Sequence, residues 1–355
     1  RDWRRPGAAS LWCLLLFAAL LLVMTLAITW GPVDMPAGTV WRIAWSRLLQ
    51  VLGMQPPPLE GITPQHQQIV WLIRMPRVLL AALVGAGLAV VGTIMQAMVR
   101  NPLADPYLLG VSSGASVGAV AVLAFGALAS AGMYALTAGA FAGALAATVA
   151  VYLLARSQGR IHATRLILGG VAIGYVLAGV TSLITLSSGQ RDLANALLTW
   201  TLGSLAGTQW EELGIPAAVL AAGMLWLGLQ TRPLNALLAG DEAAATLGVD
   251  TARLRRALFL AVSLLTGTMV AVSGAIGFVG LIVPHAARML VGTDHRRVLP
   301  VAALAGALLL VLVDLVARTA FAPMELPVGV ITSLIGGPFF VWMLVRQPVQ
   351  GGRGP

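Results

Sequence analysis

Lysine is absent from this chain, and all 22 of its basic residues are arginine. A nucleotide-binding P-loop sets a lysine against the phosphates. The chain therefore holds no such loop, and any ATP hydrolysis that drives it belongs to another chain. Charge is scarce as well. Charged residues make up 10% of the 355, against about 25% in a soluble domain, too few for a solvated surface around a core. A single cysteine, Cys13, excludes an internal disulfide. There is no CxxC and no cluster with metal-ligand spacing.

What is present is apolar: 58% of residues are hydrophobic, with a mean hydropathy of +0.89. Forty glycines suit helices that pack closely in lipid. The net charge of +9 is spread as single arginines between apolar runs. That pattern belongs to membrane loops and excludes nucleic acid as a partner.

A spanning helix needs about 20 apolar residues. Ten candidates follow: Leu11–Trp30, Val78–Val99, Leu108–Leu128, Met133–Ala155, Leu166–Leu186, Leu213–Leu229, Ala257–Ile276, Gly277–Val291, Val298–Val316 and Val328–Val345. The first is longer than a signal-peptide core of about 7–15 residues and reads as an uncleaved span. Ala257–Val291 is too long for one helix, and Gly274, Gly277, Gly280 and Pro284 divide it. With the N-terminus in the cytoplasm, 16 arginines fall inside and six outside: Arg42, Arg47, Arg74, Arg77, Arg191 and Arg318. This obeys the positive-inside rule and returns the C-terminus to the cytoplasm. The expected fold is all-α, a polytopic membrane protein with ten transmembrane helices forming one domain over 1–355.

Three segments are too polar to span. Gly31–Trp71 is expected to lie over the outer membrane surface. Arg191–Gly207 carries Leu193, Leu197, Leu198 and Leu202 at near-helical spacing and reads as a re-entrant or interfacial half-helix, tolerated only against protein or a wet cavity. Leu234–Val249 reads as a helical elbow split at Gly240, with Asp241 or its neighbour capping the second piece and Gly248 ending it. Such an elbow serves either as a surface connector or as a docking element.

Glycines four apart (Gly110/Gly114/Gly118, Gly139/Gly143, Gly170/Gly174, Gly203/Gly207) point to close helix crossings. Gly110-Val-Ser-Ser-Gly114 matches a serine-nucleophile pattern, but that pattern needs a strand-to-helix elbow. Here it opens a membrane helix, which counts against a membrane protease. His285, beside Pro284 and one turn from Arg288, is expected to be structural, since Pro284 frees a carbonyl for a nearby side chain. Asp314 is the only acidic residue inside the spans, and Arg318 at i+4 is its expected partner. One paired acid argues against an ion-coupled carrier. Arg74, Arg77 and Arg318 lie nearest the outer span ends, where they either snorkel or form a cationic rim for an acidic partner.

Several motifs occur in a fixed order: Arg74-Met-Pro-Arg77, Gly85-Ala-Gly-Leu-Ala89, Gln96, Arg100-Asn-Pro-Leu-Ala-Asp-Pro106, Leu109-Gly-Val-Ser-Ser-Gly114, Trp200-x-x-Gly-Ser-Leu205, Gly277-Phe-Val-Gly-Leu-Ile-Val-Pro-His285-x-x-Arg288 and Glu325-Leu-Pro-x-Gly-Val330. Together they resemble the FecCD-type permeases of bacterial ABC importers for iron chelates and cobalamin. The likeness spans about Trp71 to Arg346, and residues 1–70 add the first span and outer loop.

The resemblance implies a homodimeric permease in the inner membrane. Two cytoplasmic ABC ATPases would carry ATP and magnesium, a periplasmic binding protein would dock outside, and this chain would hold no cofactor or metal. It assigns binding-protein docking to Arg74, Arg77 and Arg318. It assigns ATPase coupling to the elbow, at Leu234, Ala236, Leu237, Leu238, Gly240, Asp241, Glu242, Leu247 and Gly248. It assigns the inner gate to Asn101, Leu103, Ala163 and Thr164, with His162 beside them. The fifth span and the half-helix would line the path. The implied cargo is haem, with a ferric siderophore or cobalamin as alternatives.

Overall fold

The computed structural model describes residues 6–31, 33, 35–157, 160–161 and 163–346. Arg1, Arg4, Arg5 and His162 lie outside the described residues. Fifteen α-helices follow one another: α1 Pro6–Thr29, α2 Ala37–Val51, α3 Pro64–Gln68, α4 Met75–Val99, α5 Val111–Phe125, α6 Ala135–Ala155, α7 Ala163–Ser188, α8 Arg191–Thr201, α9 Gly214–Leu229, α10 Thr231–Leu238, α11 Asp241–Thr246, α12 Thr251–Ser273, α13 Val279–Val291, α14 His295–Thr319 and α15 Val328–Arg346. The protein is an all-α polytopic membrane protein. A two-residue hairpin, Arg156–Ser157 with Arg160–Ile161, joins α6 to α7, and no apolar alternation announces it.

Every expected span coincides with a helix. Among the described residues, eight helical stretches are long and apolar enough to cross a membrane. The other two helices, α5 and α13, are apolar but only 15 and 13 residues long. Length alone therefore identifies eight of the ten expected crossings. The second span also begins far earlier than Val78, because Pro64–Val99 is continuous. A π-turn over Ile69–Arg74 precedes Pro76. The wider turn accommodates the ring and missing N–H of Pro76 inside a helix that proline would otherwise break. In the outer segment, α2 buries Val40 and Ile43 and exposes Trp41 and Trp45, the amphipathic pattern of a helix lying in the interface.

Helix α4 is the axis of the bundle. It packs on α1, α12, α13 and α14, while α5 packs on α6 and α7. Glycines set these crossings. A Cβ on Gly85 would overlap the carbonyl of Gly306 on α14, and one on Gly92 would overlap that of Gly280 on α13. Gly114 and Gly118 of α5 meet Gly143 and Gly139 of α6 in the same way. The glycines that the spacing marked on these two helices therefore do sit at a close crossing, against one another. The α4 pairs have equal weight but join segments far apart in sequence, so spacing along the chain does not show them.

The break between α12 and α13 falls at Gly274–Phe278, not at Gly280 or Pro284, which lie inside α13. Gly274 at φ +68° takes a conformation that costs other residues dearly. Non-helical backbone at this depth must find partners. The Tyr107 hydroxyl accepts from Ile276 N and donates to Ile276 O, each at 2.9 Å. Ser204 N donates to Ser273 O, and Val328 N donates to Gly203 O, both at 2.9 Å. One knot of irregular chain thus ties α8, α12, α13 and α15 together.

Pro284 frees the carbonyl of Gly280, four residues back. The group that reaches it is the Gln96 amide, whose Nε2 lies 3.4 Å from both Gly280 O and Leu281 O. The sequence pointed instead to His285, which stands edge-on to Phe339 with ring centroids 6.0 Å apart. His285 thus joins α13 to α15.

Candidate functional site

Two groups of candidate residues lie at opposite ends of α14: the arginines Arg74, Arg77 and Arg318 at its C-terminal end and the elbow at its N-terminal end. At the rim, Arg74 donates to Ile28 O at 2.7 Å, Thr29 O at 3.1 Å and Val33 O at 2.7 Å. It pins the end of α1 and the chain beyond it. The Arg77 Nε and one terminal nitrogen grip Asp314, each with a 2.9 Å contact, and its other terminal nitrogen donates to Glu325 at 2.7 Å. Arg318 Nε stands 4.0 Å from Asp314, and Nε and one terminal nitrogen of Arg318 have no hydrogen-bond partner.

Two sequence expectations change here. Asp314 does pair, but chiefly with Arg77 across the α4–α14 crossing rather than with Arg318. The reason is geometric: Arg77 offers two N–H groups along the carboxylate edge, and the glycine crossing brings α4 close. The second change concerns the cationic rim. Arg74, Arg77 and Arg318 are all buried, at 4%, 7% and 6% exposure, so they form a roofed cluster rather than an open fringe. Glu325, with its side chain 46% exposed, is the acid that reaches the surface.

At the other end, α10, the turn through Gly240 (φ +111°) and α11 build the elbow. It starts at Thr231, three residues before the expected Leu234, because α10 follows α9 with only Gln230 between them. Leu234 and Leu237 are fully buried in this chain, so they anchor the elbow and present nothing to a partner. The outward residues are Leu238, Asp241, Glu242, Leu247 and Gly248, while Ala236 and Gly240 are half-buried. Asp241 does not cap α11, whose N-cap is Gly240 with no side-chain bond. Its carboxylate instead takes Arg255 of α12 at 2.7 Å, and Arg255 also donates to Met98 O.

The sequence reading missed Asn235 and Arg255, the residues that fasten the elbow. Asn235 donates to Asp294 Oδ1 at 2.7 Å and accepts from His295 N at 2.9 Å. His295 Nδ1 lies 2.7 Å from the same Asn235 oxygen, so that nitrogen carries the proton. The readable signal was a lone polar residue between buried leucines on a short helix. Asn235→Ala should lower stability by about 1–2 kcal/mol, since it strips partners from a half-buried carboxylate and an imidazole. Chemical unfolding of the purified protein in detergent checks this, and an unchanged midpoint would remove the clasp from the account.

In the segment after α4, Asn101 Oδ1 accepts from Leu103 N at 2.9 Å, and Asp105 Oδ1 accepts from Tyr107 N at 2.8 Å. Two side-chain-closed turns make this a shaped loop. Thr164 is exposed near the start of α7. Ala163 is helical, but its side chain lies outside the described residues. α7 meets the loop through Gly170, which packs against Leu108.

Burial pushes the Asp105 pKa up to about 6, against the lowering pull of the Tyr107 N–H. A carboxyl with a raised folded pKa stabilises most below its unfolded value near 4, and that contribution is lost as pH rises through about 6. Asp105→Asn keeps the acceptor and removes the titration. The stability difference between wild type and variant should therefore shift in favour of the variant from pH 4 to pH 7. A flat difference in melting temperature over that range would contradict it.

Comparison with known proteins places this architecture. The model of the FecCD transport family matches residues 19–346. The chain belongs to that family, a family of transport permeases. It is 46% identical over 284 residues to the hemin transport system permease protein of Yersinia pestis, covering 79% of this chain and 84% of that one. It is 47% identical over 295 residues to the cobalamin import system permease protein of Halobacterium salinarum, covering 82% and 78%. A solved structure described as a metal-chelate type ABC transporter in an inward-facing conformation superposes with a TM-score of 0.79 at 29% identity, covering 95% of this chain and 99% of that one.

Proposed function

We propose that this chain is the translocation subunit of an ATP-driven importer whose cargo is haem. The observation that carries the reading is its likeness to permeases named for hemin and for cobalamin at nearly equal identity. Both cargoes are metal-bearing tetrapyrrole macrocycles, which makes that class a better fit than a siderophore. Cobalamin is the second reading, favoured by the Halobacterium relative.

In this reading the permease is a ten-span homodimer in the inner membrane of a bacterium, with both termini in the cytoplasm. Two copies of a separate ABC ATPase bind the elbows, and a binding protein docks on the rim. The absence of lysine supports placing ATP and magnesium on the partner. ATP-driven closure would press on Leu238, Asp241, Glu242 and Leu247. The clasps through Asn235 and Arg255 would pass that motion to α14, α12 and α4. The gate would lie at Asn101 and Leu103 and, on α7, Ala163 and Thr164.

At the rim, an acidic side chain of the binding protein would compete with the exposed Glu325 for Arg77, and would reach the buried, unpaired nitrogens of Arg318 only by parting the roof over the cluster. Arg74, which already holds three carbonyls, would act by positioning. The test is reconstitution with the candidate ATPase and binding protein in liposomes, measuring ATP-dependent uptake of haem, cobalamin and a ferric siderophore in parallel. Haem uptake alone is the expected result. Uptake of another chelate would replace the cargo, and none from an assembled complex would overturn the transport reading.

A further inference from the structure

The elbow-side ends of α4, α13 and α14 enclose a cavity of about 220 Å³, lined among others by Gln96, Arg100, Asn101, Leu238, Arg288 and His295. Two guanidinium groups line this space and no carboxylate does. Among the described residues neither arginine has an acidic partner. Arg288 donates to Gln96 Oε1, and that oxygen is aimed by the Gln96 amide, whose nitrogen faces the carbonyls around Pro284. Arg100 leaves the end of α4 from a left-handed residue (φ 55°), and its guanidinium lies against Gly240 of the elbow. The acids nearby are engaged elsewhere: Asp241 holds Arg255, while Asp294 accepts from Asn235 and caps α14.

Arg100 is exposed, but Arg288 is half-buried with a neutral amide as its partner, so an anion between the two would offset the burial of Arg288. Arginine's planar fork suits a tetrahedral oxyanion, and basic pockets between helix ends take phospholipid headgroups. We propose that this cavity is a phosphate-binding site bridged by Arg100 and Arg288. It would take the phosphate of an anionic phospholipid headgroup or free inorganic phosphate. An occupant there touches both the loop after α4, through Asn101, and the elbow, through Leu238. It would hold the two together independently of cargo, so the site does not depend on what the protein carries.

The test uses the purified full chain. Native mass spectrometry after exchange into phosphatidylglycerol or phosphatidylcholine reads retained lipid. Melting curves in inorganic phosphate against chloride at matched ionic strength read the free ion. With each arginine near a phosphate contributing about fivefold, retention of phosphatidylglycerol should fall about 25-fold in Arg100→Gln/Arg288→Gln. Arg256→Gln, at an exposed arginine outside the cavity, should leave it unchanged. Retention of the lipid without a phosphate shift assigns a headgroup site. A phosphate shift alone assigns a free-ion site. Either result must vanish in the double variant. If that variant does not fold, the Arg100→Lys/Arg288→Lys protein and competition of phosphate against lipid on the wild type replace it. No preference for phosphatidylglycerol and no phosphate shift, or a preference that survives loss of both arginines, overturns the proposal.

Discussion

Asp314→Ala is expected to destabilise the protein by about 3–5 kcal/mol, the cost of removing one partner of a buried ion pair. Asp314 is 1% exposed and lies between Arg77 and Arg318. Without it two buried guanidiniums face each other with only Glu325 to offset them, and Glu325 reaches Arg77 alone. The effect should exceed that of Glu325→Gln several-fold, since Glu325 is half in water and an exposed pair contributes about 1 kcal/mol or less. Unfolding of the purified variants in mixed micelles gives both numbers. Equal effects at the two positions would mean that Asp314 is not the centre of the cluster. A second arm separates the pair from its partners. If Arg77→Leu, Asp314→Leu and Arg318→Leu together restore much of the stability, the cluster is kept for function and not for folding, because apolar residues can replace a buried ionic triad at little cost.

The positions of these residues along the chain were legible in the sequence, but their partners were not. Apolar run length placed a helix at every expected span, because the need for about 20 apolar residues acts locally. The elbow was visible for the same reason: it is too polar to cross and is split by a glycine. Pairing across helices is another matter. Arg77 and Asp314 are 237 residues apart, and Gln96 and Gly280 are 184 apart. No periodicity relates such positions. The i,i+4 rule proposed Arg318 for Asp314 because it sees only one helix. Likewise, Leu234 and Leu237 read as docking residues, although three residues of helix bring both onto one buried face. The prolines show the same limit. Pro284 was read as a break, but a glutamine on another helix meets the carbonyl it frees, and the helix continues.

Gly92→Ala should be among the most damaging single-methyl changes at the described glycines. Its Cβ would overlap the Gly280 backbone, and backbone cannot turn aside as a side chain can. Overpacking by one methyl group costs about 1–3 kcal/mol even where side chains can move, so the loss here should reach or pass the top of that range. Gly179→Ala on α7 is the matched control, since nothing lies within 4 Å of the added carbon. There alanine's higher helix propensity, about 1 kcal/mol over glycine, should leave stability unchanged or raised.

The two variants thus move stability in opposite directions for the same chemical change. The damage at Gly92 should also spread. Separating α4 from α13 pulls Gln96 from Gly280 and Leu281, and with it the oxygen that orients Arg288. A backbone-level crossing therefore sets a polar network one turn away. Intrinsic tryptophan fluorescence during thermal unfolding reads the stability, and hydrogen exchange over Gly280–Arg288 reads the spread. If Gly92→Ala and Gly179→Ala behave alike, the α4–α13 crossing has room for a methyl group and the close approach does not set its stability. If Gly92→Ala lowers stability while exchange over α13 stays unchanged, α4 moves away from α13 as a rigid body and Gln96 is not the link between them.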